Sequence, residues 1–179
     1  MDLLSNLTDE RREEYRDFAE RYDRGTPYDN ISEEEVIDRY REVAPELSEE
    51  DYRDLAREAL SKMEPEERVE FGRQLREESL QQGCDFPGRD AEDQDERFED
   101  PNYLARVTGR VHREQPDLLE NLLNRGSDGL MGGMMGDGMT GGQGATGGDS
   151  MTDNLVVKAT MGGVVVMAVK RAMSSQGFA

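Results

Sequence analysis

The chain has 179 residues, 41 of them acidic and 22 basic, for a formal charge of −19 at pH 7. Apolar residues are 34% of it, below the roughly 45–50% of ordinary soluble domains, a figure that includes glycine, so only part of the chain is expected to bury a core. The acid excess excludes the usual nucleic-acid binder, whose phosphate contacts need clustered Lys and Arg.

The charge is unevenly placed. Residues 1–100 hold 34 acids and 15 bases, whereas residues 101–179 hold seven of each. Only Lys62, Lys158 and Lys170 are lysine, and the other bases are arginine. An acidic, arginine-biased surface reads as adaptation to high salt, with mimicry of a nucleic acid as the lesser alternative. Cys84 is the single cysteine, so no internal disulfide forms and a reducing compartment is expected. A lone thiol among acids has nothing to stabilise its thiolate. Met1-Asp2-Leu3-Leu4 carries neither a basic nor a long apolar stretch. No signal peptide is read there, and a cytoplasmic location is expected.

Helix-start chemistry recurs along the first 83 residues. Leu7-Thr8-Asp9-Glu10, Ile31-Ser32-Glu33-Glu34, Leu47-Ser48-Glu49-Glu50 and Met63-Glu64-Pro65-Glu66 share an apolar residue, a polar cap and then acids or proline. The cap oxygen accepts an unpaired backbone N–H, and the acids suit the positive end of the helix dipole. Ser32 with Glu35 forms a capping box, and Ile31 staples onto Val36.

Apolar spacing agrees with four helices. The stripes are Tyr15, Phe18, Ala19 and Tyr22; Val36, Ile37, Tyr40, Val43 and Ala44; Tyr52, Leu55, Ala56, Ala59, Leu60 and Met63; and Val69, Phe71, Gly72 and Leu75, each following the 3.6-residue period. The second stripe ends before Pro45, and Gly83 closes the fourth helix. Residues 7–83 are expected to form a small antiparallel helical domain. The 16-residue spacing of the last three starts is too short for a helix-pair repeat, whose period is about 33–47 residues.

Residues 84–100 read as an acidic linker. Asp90 to Glu96 resembles a calcium loop only in charge, lacking the central glycine and closing glutamate. Residues 101–125 form a further helical segment, opened by Asp100-Pro101 and interrupted at Pro116. Its Leu118, Leu119, Leu122 and Leu123 are expected to return to the head and complete a core that about 80 residues support only marginally. His112 is read as a surface residue of this helix.

Residues 126–151 are a Gly/Met-rich, flexible linker by composition. Met131, Met134, Met135 and Met139 are soft enough to hold Cu(I), but with no His or Cys nearby no metal or other cofactor is expected.

Residues 152–173 are an apolar C-terminal segment. Thr152-Asp153 at its start and Lys170-Arg171 near its end favour a helix. A hairpin turning at Gly162-Gly163 is the runner-up. The uncharged run between Lys158 and Lys170 is 11 residues, whereas a spanning helix needs about 20. Ala159 and Gly163 would let a second helix approach closely. Leu155, Val156, Ala159, Gly162, Gly163, Val166, Met167 and Lys170 are therefore the candidate docking residues. Folding back onto the head is the alternative.

The fold class expected is all-α, and the chain shows no catalytic motif. The function expected is that of a non-catalytic adaptor or assembly protein, docking to a protein partner or self-associating through residues 152–173. Peripheral membrane association through the same segment is the alternative. On the docking reading, removing the residues after Ser150 abolishes association and leaves the head helical.

Overall fold

Helix starts fall where cap chemistry puts them. In a computed structural model of the chain, which describes residues 9–24, 31–83, 86, 94–131 and 149–175, the Ser32 hydroxyl accepts the Glu35 N–H at 3.1 Å. Ser32 thereby opens α2 (Glu33–Val43). The Ser48 hydroxyl accepts the Asp51 N–H at 3.2 Å and opens α3 (Glu49–Leu60). At Glu64 the backbone N–H reaches the Glu67 carboxylate at 2.9 Å, and Pro65 starts α4 (Pro65–Gln81). Gly83 takes φ +67°, the left-handed conformation that ends a helix without a Cβ penalty.

Before these lies α1 (Asp9–Arg24), and after them come α5 (Gln94–Phe98), α6 (Pro101–Glu114), α7 (Pro116–Met131) and α8 (Asp149–Ser175). A single 3-10 turn at Ala44–Glu46, forced by Pro45, links α2 to α3. All secondary structure among the described residues is helical, so the all-α expectation holds.

The four predicted stripes are the buried faces. Tyr15, Phe18, Val36, Tyr40, Tyr52, Leu55, Leu60, Phe71 and Leu75 are all buried in one continuous core. Leu104, Val107, Val111 and, from α7, Leu118, Leu119, Leu122 and Leu123 join the same core. The segment 101–125 thus completes the head, as its leucine edge implied. Arginine bias finds a local use here: Arg21 grips Glu35 with two nitrogens, at 2.6 and 2.9 Å, tying α1 to α2. That fork needs a guanidinium, and it draws the Glu35 carboxylate outward to α1.

Three expectations are corrected. The acidic stretch 84–100 is more than a linker, because Phe86 and Phe98 are buried in the core and residues 94–98 are helical. Asp95 pairs with Arg73 at 2.8 Å and Arg76 at 3.3 Å. Charge neutralisation by α4 therefore explains its place. Helix α7 also continues past Gly126 and Gly129 to Met131, since each helical glycine costs only about 1 kcal/mol. The third is His112, which is buried at 9% exposure. Its ring stacks on Tyr52 with centroids 4.1 Å apart, so α6 turns it into the α3 seam. The methionines 134, 135 and 139 lie outside the described residues.

Phe98 docks onto α4 at Gly72, where an added Cβ would overlap the phenyl ring. Gly72→Ala is therefore expected to destabilise the fold by about 1–3 kcal/mol through overpacking, despite alanine's better helix propensity. Denaturant unfolding measures it, and an unchanged or raised midpoint would show that α5 does not sit there.

Candidate functional site

Sequence reasoning placed the functional site in the C-terminal segment, and α8 is the element that decides its geometry. It is one continuous helix of 27 residues, running through Gly162-Gly163 without a turn. The hairpin reading is thereby excluded. A hairpin would need a strand partner, whereas here the backbone groups are paired within the helix and the valines pack outward on all sides.

Helix α8 packs against α1, α2, α3, α4 and α7. Residues 156–169 are buried in every position, including Val157, Val164, Val165, Ala168 and Val169 on the faces away from the candidate docking stripe. A helix that is apolar right round belongs in the middle of a protein. This is the fold-back arrangement, and α8 is the central helix.

The candidate docking residues find their partners within the chain. Val156, Val166 and Met167 are buried in the core, while Leu155 is half-buried at the N-terminal end. The Ala159 carbonyl accepts the Tyr22 hydroxyl of α1 at 2.7 Å. Gly162 lies under the same ring, where an added Cβ would come within 3.3 Å of it. At Gly163 an added Cβ would sit 2.8 Å from the Ala59 Cβ of α3 and 2.8 Å from the Tyr22 hydroxyl. Close approach at the small residues was expected, and the approaching helices are α1 and α3. Lys170 pairs with Asp23 at 2.5 Å, and Arg171 lies 3.8 Å from Asp51.

Sequence reasoning missed the polar contacts that fix the register of α8. Tyr52 donates to the Met161 sulfur at 3.4 Å and lies 3.0 Å from the Tyr40 hydroxyl. The Thr160 hydroxyl lies 3.3 Å from the Met63 sulfur and 2.9 Å from the Val156 carbonyl. Thioethers are weak acceptors, but they spare a buried hydroxyl the desolvation cost of having no partner. Periodicity could not flag these contacts, because Met161 and Thr160 look like ordinary core and helix residues.

A second feature adjoins this groove. Tyr40, Ala44, Pro45, His112, Pro116 and Glu120 line a cleft of about 520 Å³ between the end of α2 and the α6–α7 junction. Arg41 pairs with Glu120 across it at 2.5 Å. The His112 Nε2 lies 3.2 Å from the Leu47 carbonyl. A carbonyl only accepts, so Nε2 carries the hydrogen and Nδ1 is left as a bare acceptor. That Nδ1 is buried and has no hydrogen-bond partner among the described residues. Burial pushes His112 below the ordinary histidine value, against the opposing pull of the Leu47 carbonyl and Glu49.

No family model, curated protein or solved structure matches this chain. No helix among the described residues is long and apolar enough to cross a membrane.

Proposed function

We propose that this chain is a non-catalytic assembly module that associates by exchanging α8 between copies. The observation that carries the reading is the burial of α8 on all sides by five helices, combined with its connection. Seventeen residues separate the end of α7 from the start of α8. Fully extended, they reach about 55–60 Å, enough for α8 to leave one bundle and enter another.

The contacts made in the exchanged form are those of the closed form, so chain connectivity decides between the two. Tethers of such length give effective concentrations of about millimolar. The closed monomer therefore dominates in dilute solution, and exchange becomes substantial where the local protein concentration is comparable. A scaffold or condensed assembly provides that condition. The groove is selective for this helix because a Cβ at position 163 would clash, Tyr22 seeks the Ala159 carbonyl and Asp23 seeks Lys170. The same demands would restrict any other protein partner to an apolar helix with small residues at these positions. Contact of α8 with a membrane surface would require the same departure from the groove.

Site-directed cross-linking tests this. In a Cys84→Ala background, Asp23→Cys chains are mixed with Lys170→Cys chains, refolded together at about millimolar concentration, and treated with a short bis-maleimide. Covalent mixed dimers that increase with concentration are the expected result. The chain carrying both substitutions serves as the proximity control, cross-linking internally in dilute solution. Internal cross-linking without mixed dimers at any concentration would overturn the proposal.

A further inference from the structure

The chain contains one histidine, and it is buried beside Tyr52, one of the residues that hydrogen-bond the central helix. We propose that His112 is an acid-sensitive latch on α8, whose protonation loosens the α3–α6 seam and speeds release of α8 through Tyr52. The consequence for assembly rests on the exchange reading, whereas the latch itself does not.

The geometry makes a short relay. Tyr52 is fully buried and presents one ring face to the His112 imidazole, with the planes 10° apart. Its hydroxyl points into α8 at the Met161 sulfur. The neutral imidazole suits this site: Nε2–H meets the Leu47 carbonyl, and Nδ1 faces no donor among the described residues. A proton added at Nδ1 creates a charge and a new buried donor with nothing to receive it, a costly combination.

Every charged group around the ring bears on the result. Helix α3 supplies Glu49 as well as Tyr52, and α2 supplies Tyr40 and Arg41. Asp117 and Glu120 of α7 face the same cleft, and Arg113 follows His112 in α6. Each cation is already engaged, Arg41 by Glu120 and Arg113 by Glu49 and Glu114. Glu49 favours the proton, but desolvation is the larger effect and opposes it.

The sign follows. Unfolded or locally opened chains bind the proton near the ordinary histidine value of about 6.5, and the closed bundle binds it less readily. The stability contributed by neutral His112 is fully present above that value. It declines as pH falls from there toward the lowered value of the closed state, and is constant below it. Closed and exchanged forms hold His112 in the same surroundings, so acid changes the rate of exchange and leaves the final dimer fraction alone.

The test follows hydrogen–deuterium exchange of α8 amides, and mixed-dimer formation, at about pH 7.5 and about pH 5.5, a range in which histidine is the side chain that titrates. After correction for intrinsic rates, opening of α8 in the native sequence is expected to rise toward about tenfold, the ceiling set by one proton bound at the ordinary value. His112→Gln keeps a donor for the Leu47 carbonyl, and His112→Phe keeps the stack on Tyr52. Both should abolish the acid response. An equal response in the native chain and both variants would overturn the latch, as would no response in the native chain. Acid-enhanced α8 opening without mixed dimers at either pH would uphold the latch and reject exchange.

Discussion

A chain ending at Ser150 is expected to lose its cooperative fold. Heated or titrated with denaturant, it should give a broad transition and expose apolar surface, where the full chain gives a sharp one. Removing α8 takes away Val156, Val157, Met161, Val164, Val165, Val166, Met167 and Val169, all buried. Full burial of a side chain of this size contributes about 1.5–3 kcal/mol. Losing eight of them removes about 12–24 kcal/mol, as much as or more than the roughly 5–15 kcal/mol that keeps a typical domain folded. What remains is an open groove lined by Tyr22, Val36, Tyr52, Ala59 and Met63, with the Tyr52 hydroxyl deprived of Met161. The expectation that such a head stays helical is thus reversed. Supplying residues 149–175 in trans, fused to a soluble carrier, should restore the sharp transition, because Ala159, Met161 and Lys170, which meet Tyr22, Tyr52 and Asp23 of the head, all lie within that segment. A truncated chain that melts as sharply as the full one would mean that α8 contributes little to the core.

How much of this was legible in the sequence depends on what each signal measures. Ser32, Ser48 and Pro65 announce helix starts because capping is local, satisfied within three or four residues. The stripes from Tyr15 to Leu75 were readable for the same reason, since an amphipathic helix records on itself which side faces the core. Helix α8 has no such side. Its uniform apolarity marks it as central, yet its small residues equally suit a partner's groove, and the choice depends on contacts more than 100 residues away, such as Tyr22 with Ala159 and Tyr52 with Met161. Phe86 and Phe98 were hidden by their acidic neighbours, which outweigh them in composition although burial is decided one side chain at a time. A histidine carries no periodic signature, so the sequence alone puts His112 on the surface. What places it inside is the Tyr52 ring, on another helix.

Gly163→Leu is expected to be the most damaging single change in α8, and its sign separates a central helix from a free tail. A Cβ at position 163 meets two atoms at once, the Ala59 Cβ and the Tyr22 hydroxyl, each at 2.8 Å. The tyrosine can swing aside, giving up its bond to the Ala159 carbonyl. Ala59 cannot, because its Cβ is fixed to the α3 backbone. Nor can α8 slide, held as it is by Met161 to Tyr52 and by Lys170 to Asp23. Overpacking of this kind costs about 1–3 kcal/mol and sometimes more, with leucine at the upper end and Gly163→Ala toward the lower. In an exposed helix the same Gly163→Ala change would stabilise, by up to about 1 kcal/mol of helix propensity. Equilibrium unfolding reads the difference directly. Gly162→Ala is the control, since its nearest contact is the edge of the Tyr22 ring at 3.3 Å, and it should cost less. Ala59→Gly should recover part of the Gly163→Ala loss, with a coupling of about 0.5–3 kcal/mol, as expected for side chains in direct contact. Independent effects at the two positions, or a stabilised Gly163→Ala chain, would place α8 outside the bundle.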